Sequence, residues 1–352
     1  MSSKLLELIA LSCINWKAHE NYRRYIDRTF MKDKVCLITG ATSGIGKAAA
    51  LQLAHLGATV VMVGRNPQRT ATAVQEIRQQ SGNNQVESML ADLSSQSEIR
   101  KLASEFHSSY QRLDVLVNNA GALMLSRRLS TDGIEMTFAL NHLNYFLLTH
   151  ILLDTLKSSG PSRIVNVSSD SHQDAFLDFE DLQLEQSYGG YKAYGRSKLA
   201  NLLFTYELSR RLQGSNVTAN ALHPGLVATK FLANNGLRGR VFNLFVRIVG
   251  RSATRGARPI TYLASSAEVE GVSGKYFVEE GLVESSEASN DKDAALKLWQ
   301  LSEEYTGLPP STPDYLNLAT DEQEEDDSQD ASPEPEEASE PTGSSNESDQ
   351  PA

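Results

Sequence analysis

An alternation of short apolar runs with longer helical patterns, beginning at Lys34, constrains the fold of this chain more than any other feature. Six apolar runs follow one another: VCLITG, TVVMVG, VESMLAD, DVLVNNAG, SRIVNVSS and VTANALHPG. The segments between them have the residue spacing of helices, and the longest cover 132–157 and 190–212. Strands that alternate with helices of about ten or more residues predict an α/β fold with a doubly wound parallel sheet and helices on both faces. The Val, Ile and Leu content of the runs agrees, because such strands are buried on both sides.

The charge of the chain is concentrated at its carboxyl end. The formal net charge is -11, yet residues 319–352 hold 13 Asp and Glu and no Lys or Arg, which leaves 33 basic and 31 acidic residues in the rest. The net charge of the chain therefore does not describe the folded part, which is close to neutral. We predict no nucleic-acid partner. The acidic segment has almost no large apolar side chain to bury, so we predict a disordered tail, which either solubilises the protein or binds a regulatory partner.

No long linker interrupts the alternating pattern. We therefore predict one folded domain over 32–308, between an extension at 1–31 and the tail at 309–352. The apolar run from Leu5 to Ile14 is too short to cross a bilayer, and no small-residue cleavage site follows it. It predicts a short amphipathic helix before a basic and aromatic stretch, and this helix either packs on the domain or rests on a membrane surface.

The cysteines and histidines of the sequence indicate a reducing compartment and do not indicate a metal site. Cys13 and Cys36 form neither a disulfide framework nor a zinc-binding spacing. This fits a reducing compartment, so we predict a cytoplasmic protein, with peripheral membrane contact as the open alternative. The histidines His142, His172 and His223 lack the spacing of metal ligands, so we expect structural roles for them and no metal site.

A glycine-rich turn, TGATSGIGK at 39–47, follows the first apolar run and opens the first helix. Glycines at 40, 44 and 46 let the backbone turn sharply and approach a pyrophosphate, which the free N–H groups of the helix start can bind. The spacing is G-x-x-x-G-x-G and differs from the G-x-G-x-x-G dinucleotide fingerprint. The turn predicts a dinucleotide site, and a tight turn without a ligand is the alternative.

The second strand ends at Gly64-Arg65-Asn66, where an NAD site usually carries an acidic residue for the ribose hydroxyls. No Asp or Glu is present there. The guanidinium of Arg65 suits a 2′-phosphate, so we predict NADP(H) in preference to NAD(H). The alternative is an arginine that is simply solvated.

The third and fourth strands end in further candidate ligands of the cofactor. Asp92, followed by Leu93, either bonds the adenine amino group or caps the next helix. Asn119, Ala120 and Gly121 follow the fourth strand, where loops line the cofactor crevice of such sheets. A structural turn held by Asn side chains is the other interpretation of this segment.

Two residues of YGRSK, Tyr194 and Lys198, are four places apart and share one face of the long helix. Ser169 ends the fifth strand, at the same edge of the sheet. A neighbouring ammonium favours a phenolate, so we expect Lys198 to lower the pKa of Tyr194 from its usual value near 10. Tyr194 could then pass a proton to or from the oxygen of a carbonyl or alcohol, while Ser169 orients that oxygen. Lys198 could also hold the ribose hydroxyls, so Tyr194 and Lys198 are candidates for cofactor binding as well. If no dinucleotide turn preceded it in the sequence, the same Tyr/Lys spacing would indicate only an exposed pair on a helix surface.

TGATSGIG, Asp92, NNAG, Asn141, Ser169 and YGRSK together resemble the short-chain dehydrogenase/reductase family. The resemblance covers roughly 32–308 and implies a single Rossmann-type domain with a Ser–Tyr–Lys triad. It also implies that Ser43 and Ile45 belong to the cofactor turn, and that Asn141 holds a water in a proton relay. The motif around Asn141 usually has Gly where this chain has Asn144.

The same resemblance extends past the sixth strand. It implies that Pro224 and Gly225 form a turn beside the nicotinamide and that Thr229 bonds its carboxamide. Within the family, SRIVNVSS, the helix that contains YGRSK, and HPGLVAT look most like the retinol dehydrogenase and dehydrogenase/reductase X-type branch. That branch implies NADP(H) and retinoids or other lipophilic carbonyls and alcohols.

The segment that starts at Lys230, KFLANNGLRGRVFNLFVRIVGRSATRG, is apolar and punctuated by arginines. It predicts a lid over a lipophilic substrate, or a helix that only closes the core, and it could touch a membrane surface.

The motifs taken together predict an oxidoreductase that interconverts an alcohol and a carbonyl. The alternatives are a catalytically silent NADP-binding redox sensor, which the intact triad disfavours, and an epimerase, which would need a longer carboxyl-terminal region. Apolar residues on more than one face of the long helix permit a homodimer.

Overall fold

The computed structural model describes residues 31–225 and 252–313, and one sheet runs through this part of the chain. Its strands lie in the order β3-β2-β1-β4-β5-β6-β7-β8. All neighbouring pairs are parallel except β7 and β8, which are antiparallel. The strands are β1 (Val35–Thr39), β2 (Thr59–Gly64), β3 (Val86–Leu90), β4 (Val115–Asn118), β5 (Ser162–Val167), β6 (Val217–His223), β7 (Tyr276–Val278) and β8 (Gly281–Leu282).

The helices of the described residues fall between these strands. They are α1 (Gly44–His55), α2 (Pro67–Ser81), α3 (Gln96–Ser109), α4 (Asn144–Ser159), α5 (Gly190–Arg211), α6 (Ala253–Ser265) and α7 (Lys292–Thr306). The predicted doubly wound parallel α/β sheet is confirmed.

The central strands are apolar because helices cover both of their faces. Every residue of β1 is buried, and alternate residues enter different cores: Leu37 packs with α3, α4, α5 and α7, whereas Cys36 and Ile38 pack with α1, α2 and α6. A strand in this position has no solvated face, so it needs no polar alternation. The apolar runs in the sequence follow from this arrangement.

The helix predicted over 132–157 begins later and is not regular. A helical turn at Met136–Phe138 leads into a π-helical turn at Ala139–Leu143, and α4 continues from there. The buried Glu135 carboxylate accepts hydrogen bonds from the N–H groups of Thr137 and Phe138 at 2.9 and 2.8 Å, which fixes the true start of the helix. The prediction was wrong for 132–135, because the sequence pattern does not show this capping carboxylate.

Several expectations fall on residues outside the described part. They are the amphipathic extension over most of 1–31, the lid that starts at Lys230, Thr229, Cys13 and the acidic tail. No helix in the described ranges is long and apolar enough to cross a membrane.

Candidate active site

The candidate residues gather at the carboxyl edge of the sheet, where β1 lies between β2 and β4. The chain leaves β1 toward one side of the sheet and β4 continues toward the other side, so this is the point where strand order reverses. Loops diverge at such a point and leave a crevice between them, which is where dinucleotides bind in doubly wound folds.

The glycine-rich turn between β1 and α1 requires glycine for two different reasons. Gly40 and Gly44 have φ values of 65° and 57°, in the left-handed region that other residues avoid. Gly46 has no such φ, but a Cβ atom there would lie 2.6 Å from the carbonyl oxygen of Gly40 and would overlap the side-chain nitrogen of Asn119. The turn is therefore tight both in conformation and in packing.

Asn119 ties this turn to the end of β4. Its side-chain nitrogen donates to the carbonyl oxygen of Thr39 at 2.7 Å. The Thr39 hydroxyl in turn accepts from the backbone N–H groups of Asn119 and Ala120 at 2.8 and 3.0 Å. Asn119 and Ala120 thus have the structural role considered for them, and they also form the wall of the crevice.

The turn fits a pyrophosphate. The first N–H groups of α1, from Gly44 to Gly46, have no acceptor within a helix and carry its positive dipole end. Ser43 precedes the helix in an extended conformation and makes no side-chain cap bond to it. Its hydroxyl is therefore not used to cap α1.

Arg65 follows β2, and its side chain is 63% exposed in an ion pair with Asp92, with 3.1 Å between Nη1 and Oδ2. Burial of the Asp92 carboxyl opposes ionisation, but hydrogen bonds from Ser94 and the charge of Arg65 outweigh it and lower the pKa of Asp92. The carboxylate holds the guanidinium beside the crevice and leaves much of it open.

Asp92 does not cap the helix after β3. Its Oδ1 accepts from the N–H and the hydroxyl of Ser94 at 3.1 and 2.7 Å, which closes a local turn. The residue before α3 is Ser95, and it makes no side-chain cap bond. The capping interpretation is thus wrong, because Ser95 and not Asp92 occupies the position before the first residue of α3. The Leu93 side chain is buried in the core.

Two cations near Arg65 did not emerge from the sequence. Lys47 and Arg69 line an open cleft of about 500 Å³ between the glycine-rich turn and the start of α2. Lys47 forms an ion pair with Glu76 across that cleft. Arg69 follows the end of β2 by five residues, whereas Lys47 lies on α1 and reaches this cleft only through the packing of α1 beside α2.

Tyr194 is half-buried, and its phenol forms a hydrogen bond with the Ser169 side chain. Ser169 also accepts from the N–H of Ser171 at 3.3 Å, which holds it at the end of β5. A Cβ atom at Gly195 would lie 2.8 Å from the carbonyl oxygen of Ser171, so glycine allows the loop after β5 to approach α5 this closely. The expected meeting of a strand-end Ser with the helix Tyr is present.

Lys198 is almost fully enclosed, with 3% of the residue exposed. Its Nζ donates to the carbonyl oxygen of Val167 at 2.9 Å and lies 5.6 Å from the centre of the Tyr194 ring. The Ser168 hydroxyl donates to the backbone carbonyl of Lys198 at 2.8 Å, which fixes this turn of α5 to β5.

The expected direction of the Tyr194 pKa shift is wrong for this structure. Burial raises the pKa of Tyr194 to about 12, and its hydrogen bond with Ser169 opposes that rise only in part. Burial also lowers the pKa of Lys198 to about 7, so the ammonium is itself costly to keep charged. The sequence showed the Tyr/Lys spacing but not the depth of burial, which dominates both groups.

Asn141 lies in the π-helical turn, with its side chain pointing at the same site. Its amide exchanges two hydrogen bonds with the backbone of Ala122, at 2.8 and 2.9 Å, and donates to the Ser197 hydroxyl at 2.9 Å. A Cβ atom at Gly121 would lie 3.2 Å from Asn141 Oδ1 and 3.6 Å from Lys198 Nζ, so these three residues converge. Asn144 donates to the carbonyl oxygen of Leu140 at 2.9 Å and closes the turn from its other end.

The end of β6 lies beside the end of β5, and the turn predicted at Pro224 and Gly225 follows it. The N–H of Asp170 donates to Nδ1 of His223 at 3.1 Å, and Gly225 has a φ of 81°. Pro224 is half-buried between them. His142 and His172 are bonded to Ser302 and to the carbonyl oxygen of Ser169, and no three potential metal-ligating side chains cluster within the described ranges.

Exposed apolar side chains lie on and beside the helix that carries Tyr194. Tyr191, one helical turn before Tyr194, is 61% exposed, and Phe176 in the loop after β5 is 59% exposed. Phe176 lies against α5, because the guanidinium of Arg196 is 5.3 Å from the centre of its ring. Leu125 adjoins the start of α5, because a Cβ atom at Gly190 would lie 2.9 Å from its Cα. Large exposed apolar side chains of this kind are suited to contact with an apolar molecule.

Comparison with known proteins places these features in a family. The family of short chain dehydrogenases matches residues 34–238. Human retinol dehydrogenase 13 is 42% identical over 284 residues, which cover 78% of this chain and 85% of that protein. Human retinol dehydrogenase 14 is 43% identical over 305 residues, which cover 82% of this chain and 91% of that protein.

Solved structures give the same result for the fold. The crystal structure of an uncharacterized protein from Mycobacterium paratuberculosis matches 80% of this chain and 96% of its own, with a TM-score of 0.65 and 33% identity. The active-site complex of RhlG with NADP from Pseudomonas aeruginosa matches 72% of this chain and 98% of its own, with a TM-score of 0.56 and 25% identity.

Proposed function

This chain belongs to the short chain dehydrogenase family of oxidoreductases, and from that premise we propose that it is an NADP(H)-dependent enzyme. Members of the family interconvert alcohols and carbonyls with a nicotinamide dinucleotide. The proposed substrate is lipophilic, and the proposed proton donor and acceptor is Tyr194. The observation that carries the proposal is the convergence of Ser169, Tyr194 and Lys198 at the mouth of the dinucleotide crevice.

The reaction has a hydride part and a proton part. A nicotinamide dinucleotide held at the turn between Gly40 and Gly46 would supply the hydride that the carbonyl carbon takes up in the reducing direction, and would accept it in the oxidising direction. The Tyr194 hydroxyl supplies the proton that the carbonyl oxygen needs as the new C–H bond forms. With its pKa raised to about 12 by burial, Tyr194 is protonated at neutral pH and is ready to act as the acid.

Lys198 and Ser169 support this proton transfer in different ways. The Lys198 ammonium stabilises the phenolate that remains when Tyr194 has given up its proton. Ser169 shares a hydrogen bond with Tyr194, so its hydroxyl can orient the substrate oxygen toward the phenol. The proposed role of Asn141 is to hold the loop at Ala122 and α5 at Ser197 in register with the lysine.

The preference for NADP(H) rests on the charge beside β2. Arg65 is exposed there, Asp92 orients it, and Lys47 and Arg69 line the adjoining cleft. No carboxylate follows β2 directly. A 2′-phosphate would be favoured by the guanidinium, whereas NAD(H) would gain nothing from it.

The substrate proposal rests on the exposed apolar side chains of Leu125, Phe176 and Tyr191, which lie on and beside α5. The retinol dehydrogenases that this chain resembles are named for an apolar alcohol. We therefore expect retinoids or aliphatic aldehydes and ketones of similar size to be better substrates than small polar carbonyls.

Replacement of Tyr194 tests the mechanism. In Tyr194→Phe, turnover of retinal or of a medium-chain aldehyde should fall by about 10²- to 10⁴-fold, because the general acid is lost. NADPH affinity, measured by fluorescence titration, should change little. Tyr206→Phe is the matched control, since Tyr206 lies on the same helix and bonds Ser285 away from the site. Retention of most turnover in Tyr194→Phe would refute the assigned role.

Replacement of Arg65 tests the cofactor preference. Arg65→Gln should weaken NADPH binding at least about tenfold, the value of one charge-assisted phosphate contact, and leave NADH binding nearly unchanged. Arg258→Gln is the control, because Arg258 on α6 has a side chain that is 62% exposed and forms a comparable 3.0 Å ion pair with Glu280. Equal affinity of the unmodified protein for NADH and NADPH would overturn the preference.

A further inference from the structure

A second tyrosine, Tyr145, faces the proposed catalytic lysine from the opposite helix. Tyr145 is the second residue of α4 and has no solvent exposure. The Lys198 Nζ lies 5.6 Å from the centre of its ring, the same distance that separates Nζ from the Tyr194 ring. The ammonium is thus placed over two aromatic faces.

Tyr145 occupies this position because of the geometry of its helix. It precedes Thr149 by four residues on α4 and follows Asn141, in the π-helical turn before α4, by four. Asn141 bonds Ser197 on α5, and Thr149 accepts from the side chain of Asn118 on β4 at 3.0 Å. Tyr145 therefore lies between a contact with α5 and a contact with β4, where its ring reaches Lys198.

We propose that the ring of Tyr145 keeps Lys198 charged and fixed in the site, which makes Tyr145 a positioning residue of the reaction that acts through the lysine. This inference rests on the proposed role of Lys198. An ammonium over the face of an aromatic ring is attracted by the ring quadrupole, and the attraction is strongest where water is excluded. Lys198 is in that situation, and no carboxylate in the described ranges compensates its burial.

The groups that face the ammonium are few. Val167 on β5 offers a carbonyl oxygen, Tyr194 lies on α5 itself, and Tyr145 comes from α4. Tyr194 and Tyr145 are the titratable members of this set within the described residues. Since Tyr194 must exchange a proton during the reaction, Tyr145 is the aromatic face that stays constant.

The ring, and not the hydroxyl, is the part that acts. The Tyr145 hydroxyl is buried and has no hydrogen-bond partner among the described residues. Burial, reinforced by the neighbouring Tyr194, raises the pKa of Tyr145 well above its usual value, so it stays neutral. The proposal therefore distinguishes Tyr145→Phe, which keeps the ring, from Tyr145→Leu, which removes it.

The test is the pH profile of carbonyl reduction. Loss of the ring should let Lys198 lose its proton at lower pH, so the alkaline limb of kcat/KM should move down by about one pH unit in Tyr145→Leu. Tyr145→Phe should keep the limb where it is in the unmodified enzyme. Tyr145→Met is the second variant to use if the leucine does not fold.

Phe146→Leu controls for loss of packing. Phe146 is the next residue of α4, is equally buried, and packs against Phe204 and Trp299 away from the lysine. It should lower thermal stability without moving the alkaline limb. An unmoved limb in folded Tyr145→Leu, or a limb that moves as far in Tyr145→Phe, would overturn the proposal.

The pH dependence of NADPH affinity, measured by fluorescence, gives a readout that needs no turnover. If no carbonyl is turned over by the unmodified protein, the proposed function fails, and this titration still tests Tyr145. As pH rises, the NADPH affinity of Tyr145→Leu should then begin to decline at a lower pH than that of Tyr145→Phe. Identical titrations of these two variants would count against Tyr145 alone.

Discussion

Gly46 shows how a single residue shapes the cofactor turn. The space that its Cβ would occupy belongs to the carbonyl of Gly40 and to the side chain of Asn119. These two groups also join β1 to β4, because Asn119 donates to the carbonyl of Thr39. A methyl group at position 46 therefore cannot be added without moving the end of one of the two strands.

Gly46→Ala should weaken the binding of both NADPH and NADH by about tenfold or more, because the distorted turn serves the pyrophosphate that the two cofactors share. Gly281→Ala is the control, since its Cβ would meet only the carbonyl of Val278 at an ordinary 3.7 Å. Fluorescence titration gives both constants. A selective loss of NADPH binding would show that position 46 acts on the 2′-phosphate instead.

The residues of the site were predictable to different degrees. Gly40, Gly46, Ser169, Tyr194 and Lys198 emerged from the sequence, because each belongs to a short local motif on a recognisable element. Tyr145 could not emerge, since its relation to Lys198 exists only after α4 and α5 pack together. The pKa of Tyr194 was misjudged for the same reason, because burial is a property of the packed molecule.

Among the elements, the π-helical turn at Ala139–Leu143 has the largest influence on the site. It carries Asn141 toward Ala122 and Ser197 on one side. On the other side it places His142 against α7, where Nε2 lies 2.9 Å from the Ser302 hydroxyl. One irregular turn thus connects the site to the last helix of the domain.

His142 should make this connection sensitive to acid. Burial lowers the pKa of His142 to about 3, below its usual 6.5. As pH falls below about 6.5 the unfolded chain takes up the proton first, so stability falls, by up to about 1.4 kcal/mol per pH unit for one such group. Urea unfolding between pH 6.5 and 4 should therefore show a shallower decline in His142→Gln than in the unmodified protein.

His107→Gln is the control for this prediction, because His107 is exposed on α3. It should leave the slope of stability against pH as it is in the unmodified protein. Equal slopes in all three proteins would mean that His142 does not carry the effect.

Element boundaries were predictable where the pattern is long and failed where it is short. Strands β1 to β6 have four to seven residues each, which is long enough for the sequence pattern to display them. Strands β7 and β8 have three and two residues, and nothing in so short a run separates a strand from a loop. The start of the helix near Met136 depends on the buried carboxylate of Glu135, which the sequence does not distinguish from a surface residue.

At the scale of the whole chain, charge and fold are separated. Residues 1–318 carry nearly equal numbers of basic and acidic side chains, while the acidic excess lies in 319–352. The layers that the structure describes on the two faces of the sheet lie within 31–308, and the acidic segment has almost no large apolar side chain to add to them. The stability of the domain should therefore be independent of the acidic segment.

A variant that ends at residue 318 should melt within about 2 °C of the full chain, because it loses almost no apolar side chain. Its NADPH affinity should be the same, and its isoelectric point should rise markedly from about 5.2. Calorimetry and isoelectric focusing give these quantities. A large fall in melting temperature would show that the tail packs on the domain.

The central position of β1 has a consequence for the order in which the protein acquires its structure. β1 is the first strand of the part of the chain that the structure describes, yet it pairs with β4, and the hydrogen bond from Asn119 to Thr39 spans 80 residues. Parallel pairs of such long separation slow folding, because a large loop must close before any contact rewards it. During synthesis the cofactor turn leaves the ribosome long before its partner strand exists. The nascent enzyme therefore cannot recruit its dinucleotide early, and ligand-assisted folding can act only on chains that already extend beyond β4.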